Sequence, residues 1–312
     1  MRAPPSILRA LRGYSLPFEN GTPHLSMPSA ASFSHLRDPV QARVVDEEVE
    51  ALLLKGAIEE VVPSCGYYSK VFVVTKKDGG WRPILNIKRL NKEYLVSPKF
   101  KMDTVRDVAS LLREGDWTAS IDLKDAYFHI PVAHRFRRFL RFGWRGRLYQ
   151  YLVIPFGLCV APWLFTRVTA PLKAWLRARG IRSIFYLDDI LIIGSTKAEC
   201  QANLDIALAL LRDVGFIVNI KKSSLTPSTN FRFLGLRWDT LRATMGVDED
   251  KRLKLTSFSS RILLSTSLTC HALQKFLGLA TSQLEAVPLL RLRTRFLQRD
   301  LNRVYVSKRD SS

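Results

Sequence analysis

The chain has 312 residues, of which 47% are hydrophobic, and 48 Lys and Arg against 28 Asp and Glu give a formal net charge of +20. No apolar run approaches the roughly 18 residues of a membrane span, and residues 1–18 lack the apolar core of a secretory signal, so an intracellular location in the cytoplasm or nucleus is expected. Four widely spaced cysteines argue against a disulfide framework or a zinc site. The positive excess predicts a polyanionic partner.

The first predicted elements are a leader, a helix and a pair of strands. Residues 1–38 are rich in Pro, Ser and Gly and are expected to be poorly ordered. An acidic amphipathic helix is predicted from Pro39 to near Gly56. The segment YSKVFVVTKKDGGWRPILNI predicts two strands joined by the turn KKDGG, and DTVRDVASLLREG predicts a short helix that ends at Gly115.

The next predicted strand is WTASIDL, in which alternation places Ser120 and Asp122 on the face opposite the apolar residues. The segment Arg135–Arg147 then contains six arginines, four aromatic residues and no acidic residue. This composition suits phosphate contacts with packing or stacking. Helices are predicted after Pro162 and in AECQANLDIALALLRDVGF, and the residues after 240 are expected to be mostly helical.

Two adjacent carboxylates interrupt an apolar run, IFYLDDILII (Ile184–Ile193). Asp188 and Asp189 fall where a tight hairpin turn would lie, so they are either turn formers or charges held by stiff strands for chemistry. Asp122 ends another apolar strand, and three carboxylates brought together repel one another unless a cation lies among them. Such hard oxygen ligands suit Mg²⁺ or Mn²⁺, and two ions could activate a hydroxyl and stabilise a leaving pyrophosphate.

Several segments resemble the successive motifs of reverse transcriptases, in the same order: VTKKDGGWRPILNIKRLN, SIDLKDAYFHIPV, IPFGLCVAPWLF, FYLDDILIIG, NIKKS and FRFLGL. Their style is most similar to retrotransposons of the tyrosine-recombinase (DIRS-like) group, with Ty3/gypsy-like elements second. The resemblance implies an α+β right-hand polymerase whose palm has an antiparallel sheet backed by helices. Fingers and palm would occupy 39–240, and a helical thumb or connection-like tail would occupy 241–312.

The implied activity is template-directed transfer of dNTPs to a primer 3′-hydroxyl on an RNA or DNA template-primer duplex, with no membrane partner. By the same resemblance, Asp122, Asp188 and Asp189 would hold two divalent ions, Mg²⁺ or alternatively Mn²⁺. Lys222, or Lys221 beside it, would protonate the leaving pyrophosphate, which is general acid catalysis.

Nucleotide contacts are implied in two segments. Lys76, whose role Lys77 could take, and Arg82 would contact the triphosphate, the first as a point charge and the second as a planar fork. By itself, the sequence KKDGG is more typical of a solvated hairpin than of a phosphate-binding turn. Asp125 and Ala126 would approach the triphosphate through their backbone N–H groups.

The resemblance implies three further contacts. Tyr127 would lie under the sugar, where its ring would collide with a 2′-hydroxyl and so favour deoxynucleotides. Phe156 and Gly157 would lie beside the nascent base pair. The implied primer grip, which by itself also fits an ordinary hydrophobic hairpin, consists of Phe233, Leu234 and Gly235.

Other features limit the interpretation. After residue 240 the acids cluster only at Asp248, Glu249 and Asp250, so the ribonuclease H domain of such a polyprotein is expected to be absent from this chain. His129 fits a packed or surface residue better than a catalytic one. Two other classes stay open, namely an inactive nucleic-acid-binding remnant of a retroelement and a basic structural protein held on RNA by charge.

Overall fold

Helices and strands follow one another irregularly along the chain, as in an α+β protein. The computed structural model describes residues 4–19, 21–75, 79–265 and 267–309. The α-helices are α1 (Pro5–Arg12), α2 (Pro39–Leu54), α3 (Lys88–Glu93), α4 (Val105–Leu111), α5 (His134–Arg137), α6 (Ala161–Arg177), α7 (Lys197–Asp213), α8 (Glu249–Leu263), α9 (Cys270–Thr281), α10 (Leu290–Arg293) and α11 (Arg295–Arg309). The strands are β1 (Ile58–Val61), β2 (Tyr68–Thr75), β3 (Trp81–Asn86), β4 (Trp117–Asp122), β5 (Arg141–Trp144), β6 (Arg147–Tyr151), β7 (Arg182–Tyr186), β8 (Asp189–Gly194), β9 (Ser224–Ser228), β10 (Asn230–Phe233), β11 (Leu236–Asp239) and β12 (Thr244–Val247).

The sheet that carries the carboxylates has four antiparallel strands in the order β7-β8-β4-β9. Both faces of β8 are covered. Ile190 and Ile192 belong to the main core with residues of α6 and α7, while Leu191 and Ile193 belong to a second core with the three-stranded sheet β10-β11-β12. Because it is buried on both faces, this hairpin is apolar at successive positions instead of alternating.

A separate five-stranded sheet has the order β1-β6-β5-β2-β3, with β2 and β5 parallel and the other neighbours antiparallel. Helix α2 contacts β1 and β3 of this sheet, and its buried face consists of Ala42, Val45, Val49 and Leu52. The predicted turn KKDGG includes Lys76, Lys77 and Asp78, which lie outside the described residues.

The described part of residues 4–38 packs on the rest of the chain, which differs from the predicted poorly ordered leader. Helix α1 buries Ile7 and Ala10, and Leu16 is 3% exposed. Tyr14 forms a parallel bridge with Val132. The Pro, Ser and Gly content suggested disorder, but several apolar residues of this segment, among them Ile7, Ala10 and Leu16, belong to the main core.

The tail after residue 240 begins with a strand before it becomes helical. Strand β12 completes the small sheet against β11, so Thr244–Val247 differ from the predicted helical tail. Helix α9 then contacts α8, α10 and α11. Within the described residues, no helix has the length and apolar character needed to cross a membrane.

The packing of the N-terminal segment can be tested with two leucines. We expect Leu16→Ala to lower the free energy of unfolding by about 3 kcal/mol, because it removes a buried side chain and leaves a cavity. Leu8→Ala is the matched control, since Leu8 is 47% exposed. Urea denaturation measures both, and equal stabilities for the two variants would contradict the packing.

Candidate active site

The register of two strands brings the first two carboxylates together. Strand β4 pairs antiparallel with β8, and Asp122 lies directly opposite Asp189. Residues in such positions have Cα atoms about 4.5–5.5 Å apart and side chains on the same face of the sheet. The two aspartates therefore lie side by side at the end of the sheet.

Asp188 lies in the tight turn between β7 and β8. The turn is Leu187-Asp188, one residue earlier than the predicted Asp188-Asp189, because Asp189 already pairs with Tyr186 as the first residue of β8. Leu187 has a φ of 53°, a conformation that costs energy for a branched side chain. The N–H of Leu123 donates to the Asp188 carbonyl at 2.8 Å, which ties the turn to the end of β4.

Electrostatics show that the three carboxylates and a lysine act on one another. Burial, with the charges of Asp188 and Asp122, raises the pKa of Asp189 to about 6. Burial and then the Asp122 charge raise the pKa of Asp188. The ammonium of Lys222 acts in the opposite direction on both pKa values.

This donor set fits a hard divalent cation, because it consists of carboxylates whose ionised forms are destabilised by burial and by one another. No three His, Cys, Asp or Glu side chains of the described residues already stand in an arrangement that could hold a metal ion. The structure thus shows the backbone positions of the three aspartates and the repulsion among their carboxylates.

The segment that contains Lys222 is hydrogen-bonded to the strand that contains Asp122. The N–H of Asn219 donates to the Asp122 carbonyl at 2.8 Å, and the N–H of Asp122 donates to the Ser223 hydroxyl at 3.0 Å. The N–H of Lys124 donates to the Ile217 carbonyl at 2.7 Å. These bonds hold the segment of Lys222 beside β4, which explains why this lysine influences the carboxylates of Asp188 and Asp189.

A 3-10 helix (Ala126–His129) follows β4 and contains the predicted nucleotide contacts. Asp125 precedes it with a φ of 51°, and its carboxylate pairs with the ammonium of Lys55 at 3.0 Å. Ala126 is buried. Sequence reasoning missed Lys55, because nothing in its local sequence points to a partner 70 residues ahead.

Tyr127 and Phe156 form one aromatic group with Phe165. The Tyr127 ring centroid lies 5.0 Å from that of Phe156 and 5.8 Å from that of Phe165. Burial, with the charge of Asp188, raises the pKa of Tyr127 to about 12, so this ring also lies near the carboxylates. Phe156 is 50% exposed, which leaves an aromatic surface open beside the tyrosine.

The loop at Gly157 is held by a residue that sequence reasoning did not assign. The Asn91 side chain donates to the Gly157 carbonyl at 2.8 Å and accepts from the Cys159 N–H at 2.9 Å. Gly157 has a φ of 92°, which favours glycine. Asn91 was within the quoted motif ILNIKRLN, but its distant partners could not be read from the sequence.

The predicted primer grip is a hairpin turn in which Leu234 and Gly235 both have positive φ, 51° and 73°. Positive φ at both central residues is typical of a type I′ turn. Phe233 is 5% exposed and packs in the second core. The Lys251 ammonium, from α8, donates to the Gly235 carbonyl at 2.9 Å, and this contact was also missed.

For two of the predicted nucleotide-binding residues, the described part of the chain gives no contact with the carboxylates. Lys76 lies outside those residues. Arg82 is exposed on β3, opposite Val74 in the β2–β3 hairpin. The role of both residues stays a prediction.

The basic segment Arg135–Arg147 is more structural than its composition suggested. Its aromatic residues Phe139, Phe142 and Trp144 are buried, so they are not available for stacking on bases. Arg141 is also buried. Three of its arginines pair with acids from elsewhere in the chain: Arg137 with Glu59, Arg145 with Asp46, and Arg147 with Glu60.

The carboxylates lie at the end of β4 and in the β7–β8 hairpin that pairs with it, on an antiparallel sheet backed by helices. This arrangement is that of the palm of a right-hand polymerase. The family described as "Reverse transcriptase (RNA-dependent DNA polymerase)" matches residues 74–238, more than half of the chain. The chain belongs to this family, as its motifs predicted.

Known relatives and a solved structure agree with this assignment. The chain is 27% identical to the Pro-Pol polyprotein of Feline foamy virus, over 70% of this chain and 18% of that protein. It is 25% identical to the retrovirus-related Pol polyprotein from transposon 412 of Drosophila melanogaster, over 57% of this chain and 15% of that protein. The chain therefore spans less than a fifth of these relatives.

The structure of the foamy viral protease-reverse transcriptase dRH in complex with double-stranded DNA superposes with a TM-score of 0.72 and 22% identity. The match covers 91% of this chain and 48% of that chain. This likeness confirms the predicted fold class, an α+β right-hand polymerase. The DIRS-like and Ty3/gypsy-like alternatives are not separated by these matches.

The repulsion among the carboxylates should be measurable as stability. In EDTA at pH 7.5 we expect Asp189→Asn to raise Tm by roughly 2 °C, the shift that about 1 kcal/mol gives in a chain of this size. The folded-state pKa of Asp189 is raised, so its ionisation destabilises the fold increasingly as pH rises from about 4 to about 6. The advantage of the variant should therefore vanish below pH 4.

The matched control is Asp213→Asn, an exposed aspartate of α7. Differential scanning calorimetry across this pH range gives the result, and equal pH dependence in both variants would contradict the repulsion. Adding Mg²⁺ should raise Tm of the unaltered chain more than that of Asp189→Asn, because an ion that binds only the folded state stabilises it.

Proposed function

We propose that the chain is the polymerase segment of a retroelement reverse transcriptase, an RNA-directed DNA polymerase that transfers dNTPs to a primer 3′-hydroxyl. The observation that carries the proposal is the pairing of Asp122 with Asp189 beside the Asp188 turn. We assign fingers and palm to residues 39–240 and a thumb or connection-like tail to 241–312.

Asp122, Asp188 and Asp189 would hold two divalent ions, with Mg²⁺ favoured and Mn²⁺ as the alternative. Such ions, when bound, promote ionisation of the attacking hydroxyl and neutralise charge on the leaving pyrophosphate. The protein's own contribution is to position the carboxylates, which the paired strands hold at the site. Burial destabilises the ionised carboxylate of Asp189 when no cation is bound beside it.

Lys222 would donate a proton to the departing pyrophosphate oxygen as general acid. Support comes from its electrostatic effect on Asp188 and Asp189, which requires the ammonium to be close to them. Lys76 and Arg82 would bind the triphosphate from the β2–β3 hairpin. The backbone N–H groups of Asp125 and Ala126 would complete that cradle, which the left-handed conformation of Asp125 supports.

Tyr127 would select deoxynucleotides by steric contact at the sugar. Its ring contacts Phe156 and lies close enough to Asp188 for that charge to raise its pKa. Phe156 and Gly157 would face the nascent base pair, and Phe233, Leu234 and Gly235 would hold the primer end.

The partner would be a template-primer duplex of RNA or DNA, bound mainly through its phosphates. The net charge of +20 supports this, as does the complex of the foamy viral enzyme with double-stranded DNA. The motif style favours a DIRS-like retrotransposon, with a Ty3/gypsy-like element second. The intracellular location, in cytoplasm or nucleus, stays a prediction.

The main test is primer extension with Mg²⁺ and dNTPs. We expect Asp188→Asn to reduce extension by at least about 10³-fold, because it removes an electrostatic contribution at the reacting atoms. Duplex affinity in a gel-shift assay should be kept. An unaltered chain that binds duplex without extending primers would instead identify an inactive remnant, and indifference of extension to this aspartate would exclude the proposed site.

Sugar selection gives a separate test. Tyr127→Ala should raise the incorporation of ribonucleotides relative to deoxynucleotides by at least about 10-fold, since one steric or packing contact accounts for 1–3 kcal/mol of discrimination. Tyr127→Phe keeps the ring and serves as the control. Single-nucleotide kcat/KM values for a matched dNTP and rNTP provide the measurement, and an unchanged ratio in Tyr127→Ala would remove this residue from sugar selection.

A further inference from the structure

His129 joins two segments that flank the carboxylates. Its Nδ1 lies 3.2 Å from the carbonyl oxygen of Ala126, and its Nε2 lies 3.3 Å from the backbone nitrogen of Ile217. A backbone N–H can only donate, so Nε2 must be the unprotonated acceptor. Nδ1 then carries the proton and donates to Ala126. The two contacts together select one neutral tautomer of the ring.

The surroundings of the ring favour this neutral form. The His129 and Phe216 ring centroids are 4.9 Å apart, and Phe216 in turn lies 5.8 Å from Phe165, the neighbour of Tyr127. Burial lowers the pKa of His129, while hydrogen bonds to the Ala126 and Asp125 backbone and the Asp125 charge oppose that effect. His129 is therefore a packed residue, as one sequence interpretation held, but both of its ring nitrogens are also engaged.

Backbone hydrogen bonds tie the segment from Ile217 to Lys222 to the residues after β4, while Val218 is its apolar contact with the main core. Ile217 is 58% exposed and Ile220 is 64% exposed, so neither side chain anchors it. Ile217 instead accepts from the Lys124 N–H and donates to His129. Both polar backbone groups of Ile217 are thus bound to the turn and 3-10 helix that follow β4.

We propose that His129, as the neutral Nδ1–H tautomer, is a positioning residue. It fixes the Ile217–Lys222 segment against the 3-10 helix that follows β4 and so sets the place of the Lys222 ammonium. This inference rests on the proposed polymerase function. His129 acts through Lys222 and does not itself touch a reacting atom. Its loss should lower the rate of the chemical step more than the affinity for nucleotide, because a general acid acts on the leaving group.

The test compares three substitutions in the full chain. His129→Phe keeps a flat ring but loses both hydrogen bonds, and should lower kcat for primer extension by about 10- to 100-fold with KM for dNTP within about threefold. His129→Gln presents an acceptor near the position of Nε2 and should recover most of the loss. His129→Asn reaches only the Ala126 side and should resemble His129→Phe.

Coupling to the lysine separates a positioning role from a general loss of structure. In a Lys222→Ala background, His129→Phe should lower kcat by less than about threefold, because the group that it positions is already absent. Full additivity of the two substitutions, or normal kcat in His129→Phe, would overturn the inference. Primer extension by the unaltered chain and its loss in Asp188→Asn would still uphold the proposed function in that case.

A second measurement needs no substitution and does not depend on activity. ¹⁵N NMR of the chain labelled at histidine should show His129 at neutral pH with Nδ1 protonated and Nε2 unprotonated. The opposite tautomer, or a doubly protonated ring, is incompatible with donation from Ile217 and would overturn the proposal even if His129→Phe failed to fold.

Discussion

The antiparallel register of β4 and β8 is the constraint on which the site depends. It places Asp122 opposite Asp189. The hydrogen bond from the Leu123 N–H to the Asp188 carbonyl continues the pairing of the two strands by one more residue. Side chains alternate between the two faces of a strand, so a slip by one residue would turn Asp122 toward the helices, where Ile121 is buried. Burying an unpaired carboxylate there would be costly. The apolar sheet and the charged site thus enforce the same register.

Holding three carboxylates together destabilises the fold that holds them. Burial and mutual repulsion raise the pKa values of Asp188 and Asp189, and Leu187 adds a strained backbone conformation at the turn. The continuous apolar hairpin, buried on both faces, offsets these costs with a rigid core. The same repulsion is what a divalent cation would relieve, so instability without a cation and affinity for one have a common origin.

The sequence correctly predicted those elements whose order of apolar and polar residues matches the burial of their two faces. WTASIDL alternates as a strand with one face toward the helices, and β4 has those bounds to within one residue. The Asp188-Asp189 turn was misplaced by one residue, because aspartate is a common turn former whereas leucine at positive φ is not. The N-terminal segment and β12 were missed since their order comes from distant partners, and the arginines of Arg135–Arg147 have acidic partners far away in the chain.

Each loop around the site is held by a polar side chain that is distant in sequence, and the local sequence of the loop does not reveal this contact. A loop at a strand end leaves the ladder of backbone hydrogen bonds, so its position must be fixed by other groups. Here each loop contacts a polar side chain from elsewhere: Lys55 binds Asp125, Asn91 binds Gly157, His129 binds Ile217, and Lys251 binds Gly235. Two of these contacts, those of Asn91 and Lys251, reach a carbonyl of a glycine at positive φ. The strands fix the carboxylates, and these side chains fix what surrounds them, so site geometry depends on residues that carry no motif of their own.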